Sequence, residues 1–284
     1  RLMATTGRAA RIMGMRAGHP SSTIHHAIYR LDKVHVDANS GVAKIHHILD
    51  TVGPSGAGPV IVDEASQLGH SAPTVSESIG HSFGSGNLLA DLLEWCGTKN
   101  PAVSAPVKIL FVGDAAQLAP IGQQAPLALD AEALRRTFGL RVGRIALEGN
   151  CRQDQDSPVA HHARQLRQPS PRLPLAIDWL PSGPGWLHLK SDIDAARYRK
   201  SFFRGDESMI ITQNNARALD LNHKVRALLQ QEFRANLMCG DLLMVARNDQ
   251  STGLMNGDLV RVEHTGRVHE VRQWLKRGHY SQRI

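Results

Sequence analysis

Cysteine is scarce. Cys96, Cys151 and Cys239 are the only three, 55 and 88 residues apart and without a Cys-x-x-Cys pair, which argues against a disulfide framework and a thiolate metal site and favours a reducing compartment. Long apolar runs are missing too: nothing approaches the ~20 residues that cross a bilayer. Arg1 followed by Leu-Met-Ala-Thr-Thr lacks the complete order of charged, long apolar and cleavage segments expected of a secretory signal. A soluble, cytoplasmic protein with no membrane partner is expected. The histidine pairs His25-His26, His46-His47 and His161-His162 lack the spacing of a familiar metal site. Also absent is any Gly-x-x-x-x-Gly-Lys-Ser/Thr stretch. Gly53 to Gly58 is glycine-rich but has no lysine and precedes a strand, so it is not a phosphate loop.

What is present is enough apolar material for a core. The 284 residues are 42% hydrophobic, which excludes disorder and a single small module and suggests two domains. Lys and Arg number 33 against 26 Asp and Glu, a formal net charge of +7. That balance suits a polyanionic partner and equally a bland basic surface.

Along the chain, Leu2-Met3-Ala4 reads as a strand, Thr5-Thr6-Gly7 as a turn and Arg8 to Met13 as a helix. Ser21-Ser22-Thr23 supplies N-caps for a helix over Ile24 to Leu31, whereas Asp32 to Ile48 has no clear pattern. Val60-Ile61-Val62 and Val107 to Val112 suit buried parallel strands, each ending in a polar pair, Asp63-Glu64 and Gly113-Asp114. Helices are expected over Asn87 to Trp95 and Asp130 to Phe138, with a strand at Val142 to Leu147. Pro169 to Pro184 is irregular. Ser208 to Thr212 reads as a strand and Ala216 to Gln231 as a helix with Leu219, Val225, Leu228 and Leu229 on its apolar side. From Gly240, two short strands around the turn Asn256-Gly257-Asp258 suggest a small β subdomain. No closing element is evident at Arg272 to His279. Alternating strands and helices define an α/β fold.

Asp63-Glu64 is the most informative pair. A carboxylate at the end of a buried parallel strand can hold Mg²⁺ through its shell while its neighbour activates water; solvating a strand end is the plainer role. Asp114 and Gln117 recur at a second strand end, and both ends of an open α/β sheet face one crevice. Gln117, donor and acceptor at once, could sense a terminal phosphate, though Gly113 to Gly122 also reads as a surface turn. Arg152 could neutralise charge on a transferred phosphoryl group or form an interdomain salt bridge, and Cys151 beside it reads as packing. Thr5-Thr6-Gly7-Arg8 offers hydroxyls, backbone donors and charge to a nucleic-acid phosphate, and serves equally as a helix start. His25 could contact a nucleotide or simply pack with His26.

In order, Thr6-Gly7-Arg8-Ala9-Ala10, Thr23-Ile24-His25, Val60 to Gln67, Gly113 to Gly122 and Asn150-Cys151-Arg152-Gln153 resemble the motifs of superfamily 1 DNA helicases, the branch containing the exonuclease V alpha subunit. Ile211 to Asn215, Asn222 with Arg226, Gly240-Asp241, Arg247-Asn248-Asp249 and Asn256-Gly257-Asp258 continue the resemblance. It implies an α/β P-loop NTPase fold: tandem RecA-like parallel-sheet domains, both incomplete, with a small SH3-like β insertion. The corresponding spans are 1–152, 153–239 and 240–284. It further implies ATP and Mg²⁺ as cofactors and single-stranded or partly duplex DNA as partner, with nuclease or relaxase subunits or fused domains alongside. Nucleotide contacts fall to Asp63, Glu64, Asp114, Gln117 and Arg152; Asp63 holds the metal, and Glu64, Gln117 and Arg152 serve catalysis. DNA contacts fall to Thr6, Gly7, Arg8, Thr23, His25 and Asn215. Walker A is expected before residue 1 and the last motor motifs after residue 284, so the chain reads as an internal helicase fragment, inactive in isolation. A conjugative relaxase's helicase region and a non-hydrolysing DNA-binding module are the alternatives.

Overall fold

The structure is a computed structural model, and it describes residues 1–36, 43–54, 58–70, 81–97, 107–149, 151, 154, 156–167, 179–183, 187, 198, 200–201, 209–230, 237–246, 252–266, 270–275 and 278–283. Its contacts divide the chain into two compact units, Arg1–Gly149 with Met244–Asp258, and Asn150–Leu243 with Leu259–Ile284.

In the first unit the expected strand, turn and helix at the N-terminus form β1 (Leu2–Ala4) and α1 (Gly7–Ala17). The Thr6 Oγ1 accepts the Ala9 N–H at 3.3 Å, and Gly18, with φ +60°, closes the helix in the left-handed conformation, so both ends are capped by side chain or glycine. Next come β2 (Ser21–Thr23) and α2 (Ile24–Ile28). Here the structure departs from expectation: only Thr23 caps, accepting the His26 N–H at 3.2 Å, and the helix stops at Ile28. Tyr29 opens a long strand, β3 (Tyr29–Val36), which pairs antiparallel with β4 (Ala43–Leu49). Tyr29, Leu31, Val34 and Val36 alternate as a strand requires once the register shift between Leu31 and Lys33 is counted, which hid the period.

β5 (Val60–Asp63), β6 (His81–Phe83), α3 (Leu88–Trp95), β7 (Ile109–Phe111) and α4 (Ala131–Phe138) are the further strands and α-helices among the described residues between 1 and 149. Asn87 and Asp130 cap the two helices. β2, β1, β5 and β7 form a four-stranded, all-parallel sheet in that order, with β3, β4 and β6 in a second sheet. Met3, Val60 and Val62 pack with Ile24, Ile28, Leu89, Leu92, Leu93 and Trp95 in one apolar core. β7 is an edge strand rather than a buried one, and Leu110 is exposed. The strand expected at Val142 to Leu147 does not form; Ile145 and Leu147 are exposed. An apolar run makes a strand only beside a ladder partner.

In the second unit, α5 (Pro158–Arg167) is a helix that the proline-rich neighbourhood concealed. Its start signal is local: the Ser157 Oγ accepts the Ala160 N–H at 3.2 Å, and Pro158 holds the first helical position. Residues 209–212 are not a strand, with Met209 and Ile211 exposed; residue 208 lies outside the described residues. α6 (Asn215–Gln230) follows, but Leu221 is its buried residue while Leu219 and Leu228 are exposed. Arg226 forks onto Asp241 at 3.2 and 2.8 Å. β8 (Leu242–Met244), whose last residue is counted with the first unit, pairs with β9 (Leu259–Arg261), and β10 (Glu270–Leu275) pairs antiparallel with β11 (Gly278–Arg283), a hairpin absent from the sequence expectation.

Candidate functional site

Register alone assembles the site. Ala4 lies opposite both Thr23 and Asp63, and Val62 lies opposite Phe111. Because all four strands run parallel, the residues leaving them share the sheet's carboxyl edge: Thr5-Thr6 after β1, the start of α2 after β2, Glu64 after β5 and Val112-Gly113-Asp114 after β7. Open α/β sheets bind ligands at that edge.

Asp63 is half-buried and its Oδ1 accepts the Glu64 N–H at 2.9 Å. Glu64 is the one described residue other than glycine with positive φ, at +52°. That conformation costs of order 1–2 kcal/mol for a side chain with a Cβ, and it throws the chain from β5 straight into a tight 3-10 turn, Ala65–Gln67. The turn is pinned to the neighbouring strand end by the Ala65 N–H on the Val112 carbonyl at 2.9 Å. Gly113 sits against it so closely that a Cβ there would lie 3.0 Å from the Ser66 nitrogen and 3.2 Å from that of Ala65. Glycine is required at 113 by approach of backbone to backbone, a signal that the pair Gly113-Asp114 carried in the sequence without revealing its reason.

Asp114 turns inward on itself, its Oδ1 accepting the Ala116 N–H at 3.0 Å while its carbonyl accepts the Gln117 N–H at 3.1 Å. Gln117 is exposed on the surface turn that follows. Arg152 lies outside the described residues, as do Asn150 and Gln153. Asn215 begins α6 in the second unit and is exposed; its neighbour Asn214 does the capping, accepting the Arg217 N–H at 2.8 Å.

The nucleic-acid candidates divide. Thr6 and Thr23 spend their hydroxyls on helix caps, and Gly7 is buried at the first position of α1. Arg8 donates from Nη1 to the Gly257 carbonyl at 2.9 Å. His25 packs edge-on against Phe83, with ring centroids 4.9 Å apart, and tilted against Tyr29 at 5.8 Å. Burial, and secondarily the neighbouring His47, lower its pKa, so the neutral ring is favoured. His47 stacks on Phe83 at 4.5 Å and its Nε2 lies 3.2 Å from the His81 Nδ1.

Of two further hydroxyls at the site, that of Thr5 is among those the sequence offers to a phosphate, whereas Ser66 carried no role there. The Thr5 Oγ1 and Ser66 Oγ are buried without a hydrogen-bond partner, and Ser66 is fully buried; such groups call for a specific reason in a folded protein. Among the described residues no group of three or more His, Cys, Asp or Glu could enclose a metal ion. A single carboxylate such as that of Asp63 is the kind of ligand with which Mg²⁺ keeps most of its water.

No protein-family model matches the chain, and no curated protein matches it.

Proposed function

We propose that this chain is motor sequence of a superfamily 1 DNA helicase, of the exonuclease V alpha-like branch, with tandem RecA-like domains and an SH3-like insertion. In the complete protein it couples Mg-ATP hydrolysis to translocation on single-stranded DNA and unwinding of partly duplex DNA. A cytoplasmic location and nuclease or relaxase partners, separate or fused, belong to the same reading. The observation that carries it is the parallel register, which gathers the ends of β1, β5 and β7, with Asp63, Glu64 and Asp114, on one edge of one sheet.

ATP with Mg²⁺ supplies the phosphoryl group and the neutralising charge. Asp63 would hold the ion through its water shell, its carboxylate oriented by the Glu64 amide. Glu64 would orient and deprotonate the attacking water from its fixed left-handed turn. Gln117 and Arg152 would answer the terminal phosphate, and Thr6, Gly7, Arg8, Thr23, His25 and Asn215 the DNA strand, through phosphate contacts with little base preference.

The test is ATP hydrolysis by the complete protein with and without single-stranded DNA. Stimulated turnover is expected, and Glu64→Gln should lower it by about 10²-fold or more. No DNA-stimulated hydrolysis at any salt concentration would falsify the helicase reading, and an undiminished rate for Glu64→Gln removes the role given to Glu64. The 284-residue chain itself, having no Gly-Lys-Ser/Thr loop, should bind single strands without appreciable turnover.

A further inference from the structure

The cations at the start of α1 are already engaged by the chain itself. Arg8 Nη1 donates to the Gly257 carbonyl at 2.9 Å, and Arg11 Nη1 stands 3.4 Å from the Asp258 Oδ2. Both contacts lie within one compact unit, which includes Met244–Asp258. The turn making them is well formed: the Asp258 Oδ2 accepts the Met255 N–H at 2.9 Å, the Asp258 N–H returns to the Met255 carbonyl at 2.9 Å, and the Gly257 N–H reaches the Val245 carbonyl at 2.8 Å. Gly257 has φ +90°, and its α-carbon faces the Arg8 stem, with a Cβ there 3.8 Å from the Arg8 Cβ and Cδ. The Asp258 side chain is only 16% exposed, whereas that of Arg11 is 54% exposed. Thus a carboxylate and a carbonyl, two oxygen acceptors, sit where a phosphodiester would meet the same two guanidinium groups. Met255 in addition lines a cavity of about 290 Å³ between α1 and β2, walled by Gly7, Ala10, Gly14 and Ser22.

We propose that the Met255–Asp258 turn is an internal competitor for nucleic acid: it holds Arg8 and Arg11 in a self-contact that a single strand must displace to reach α1. This rests on the reading above that α1 meets the phosphate backbone. The competition is weak by construction, because an ion pair whose arginine is more than half exposed is worth roughly 0.2–1 kcal/mol, so the turn tunes affinity rather than abolishing it. Once the turn is displaced the strand makes the same phosphate contacts, each worth about 0.7 in the logarithmic salt slope on a single strand, so the slope reports the arginines and the affinity reports the turn.

The experiment measures binding of a fluorescent oligo-dT to the 284-residue chain across a salt series. Asp258→Asn keeps an oxygen for the Met255 N–H and removes the charge; Asp258→Ala removes both. Asp258→Asn should tighten binding about two- to fivefold with the salt slope unchanged, whereas Arg11→Ala should make the slope shallower by about 0.7 and abolish the gain. Hydrogen exchange at Met255–Asp258 should quicken when oligo-dT is added to the wild type. If the wild type binds and Arg8→Ala weakens it, yet Asp258→Asn leaves the affinity unchanged, the competitor is overturned and the helicase reading stands. If neither the wild type nor Asp258→Asn binds oligo-dT at low salt, the nucleic-acid role of α1 falls with it.

Discussion

Gly113 concentrates the demands of the site on one residue. A methyl group there meets two backbone nitrogens of the Ala65–Gln67 turn, and backbone cannot rotate away as a side-chain tip could. Gly113→Ala should therefore destabilise the fold by about 1–3 kcal/mol, read as a lower urea midpoint, and should disturb the Glu64 turn more than any other element. Asp91 is the opposite case, a buried carboxylate with its acceptors filled. Tyr29 Oη donates to it at 2.6 Å, the Ser85 N–H at 3.0 Å and the Ser85 hydroxyl at 2.6 Å. Burial, aided by hydrogen bonding to Asp91, raises the Tyr29 pKa. Titration of the histidines has a definite sign. Burial first, then a neighbouring imidazole, lowers the pKa of His25 and of His47 below the usual 6.5. The unfolded chain then binds more protons than the native one between the lowered values and 6.5, so the stability from these neutral rings is present above pH 6.5 and lost as pH falls below it. Thermal melts should show the midpoint dropping from pH 7 to pH 5, and replacing His25 and His47 with glutamine should flatten that drop.

Caps decide where elements begin, and a cap is legible only when the following pattern is. Ser157-Pro158 starts α5 with a side-chain acceptor and a fixed φ, and Ser157→Ala should lower stability by about 1 kcal/mol, seen as faster exchange at Ala160 before any global change. β1, α1, β5, α3 and α4 were readable because each couples an apolar period to a start or stop residue. β3 was not, because its period breaks at the Leu31/Lys33 register shift, and the apparent i, i+3, i+4 spacing of Ile24, Ala27, Ile28 and Leu31 favours a helix until pairing with β4 intervenes. Val142 to Leu147 failed in the other direction: its composition suits a strand, but strand formation is a property of a pair. At the site, the position of Asp63 and Glu64 at a strand end was legible from Val60-Ile61-Val62. The left-handed turn at Glu64, the backbone approach at Gly113 and the diversion of Arg8 onto Gly257 were not, since each depends on contacts made by residues distant in sequence.

On the scale of the molecule, +7 is a modest excess, and two of the arginines that compose it are held by oxygen acceptors of the chain itself. On the proposed DNA-motor reading, affinity for single strands should fall steadily as salt is raised, and by the same factor for dT and dA oligomers, because phosphate contacts carry no sequence; a marked preference for one base composition would show that side chains read bases. No helix among the described residues is long and apolar enough to cross a membrane.

The bend at Glu64 has a consequence for selection. Glycine adopts φ +52° without the Cβ penalty, so Glu64→Gly should raise the stability of the chain, by about 1 kcal/mol, while deleting the carboxylate that the proposed chemistry requires. A library screened for heat resistance alone should enrich that substitution, whereas one screened for DNA-stimulated turnover should purge it. Position 64 would then be where thermostability and catalysis pull a population of variants apart.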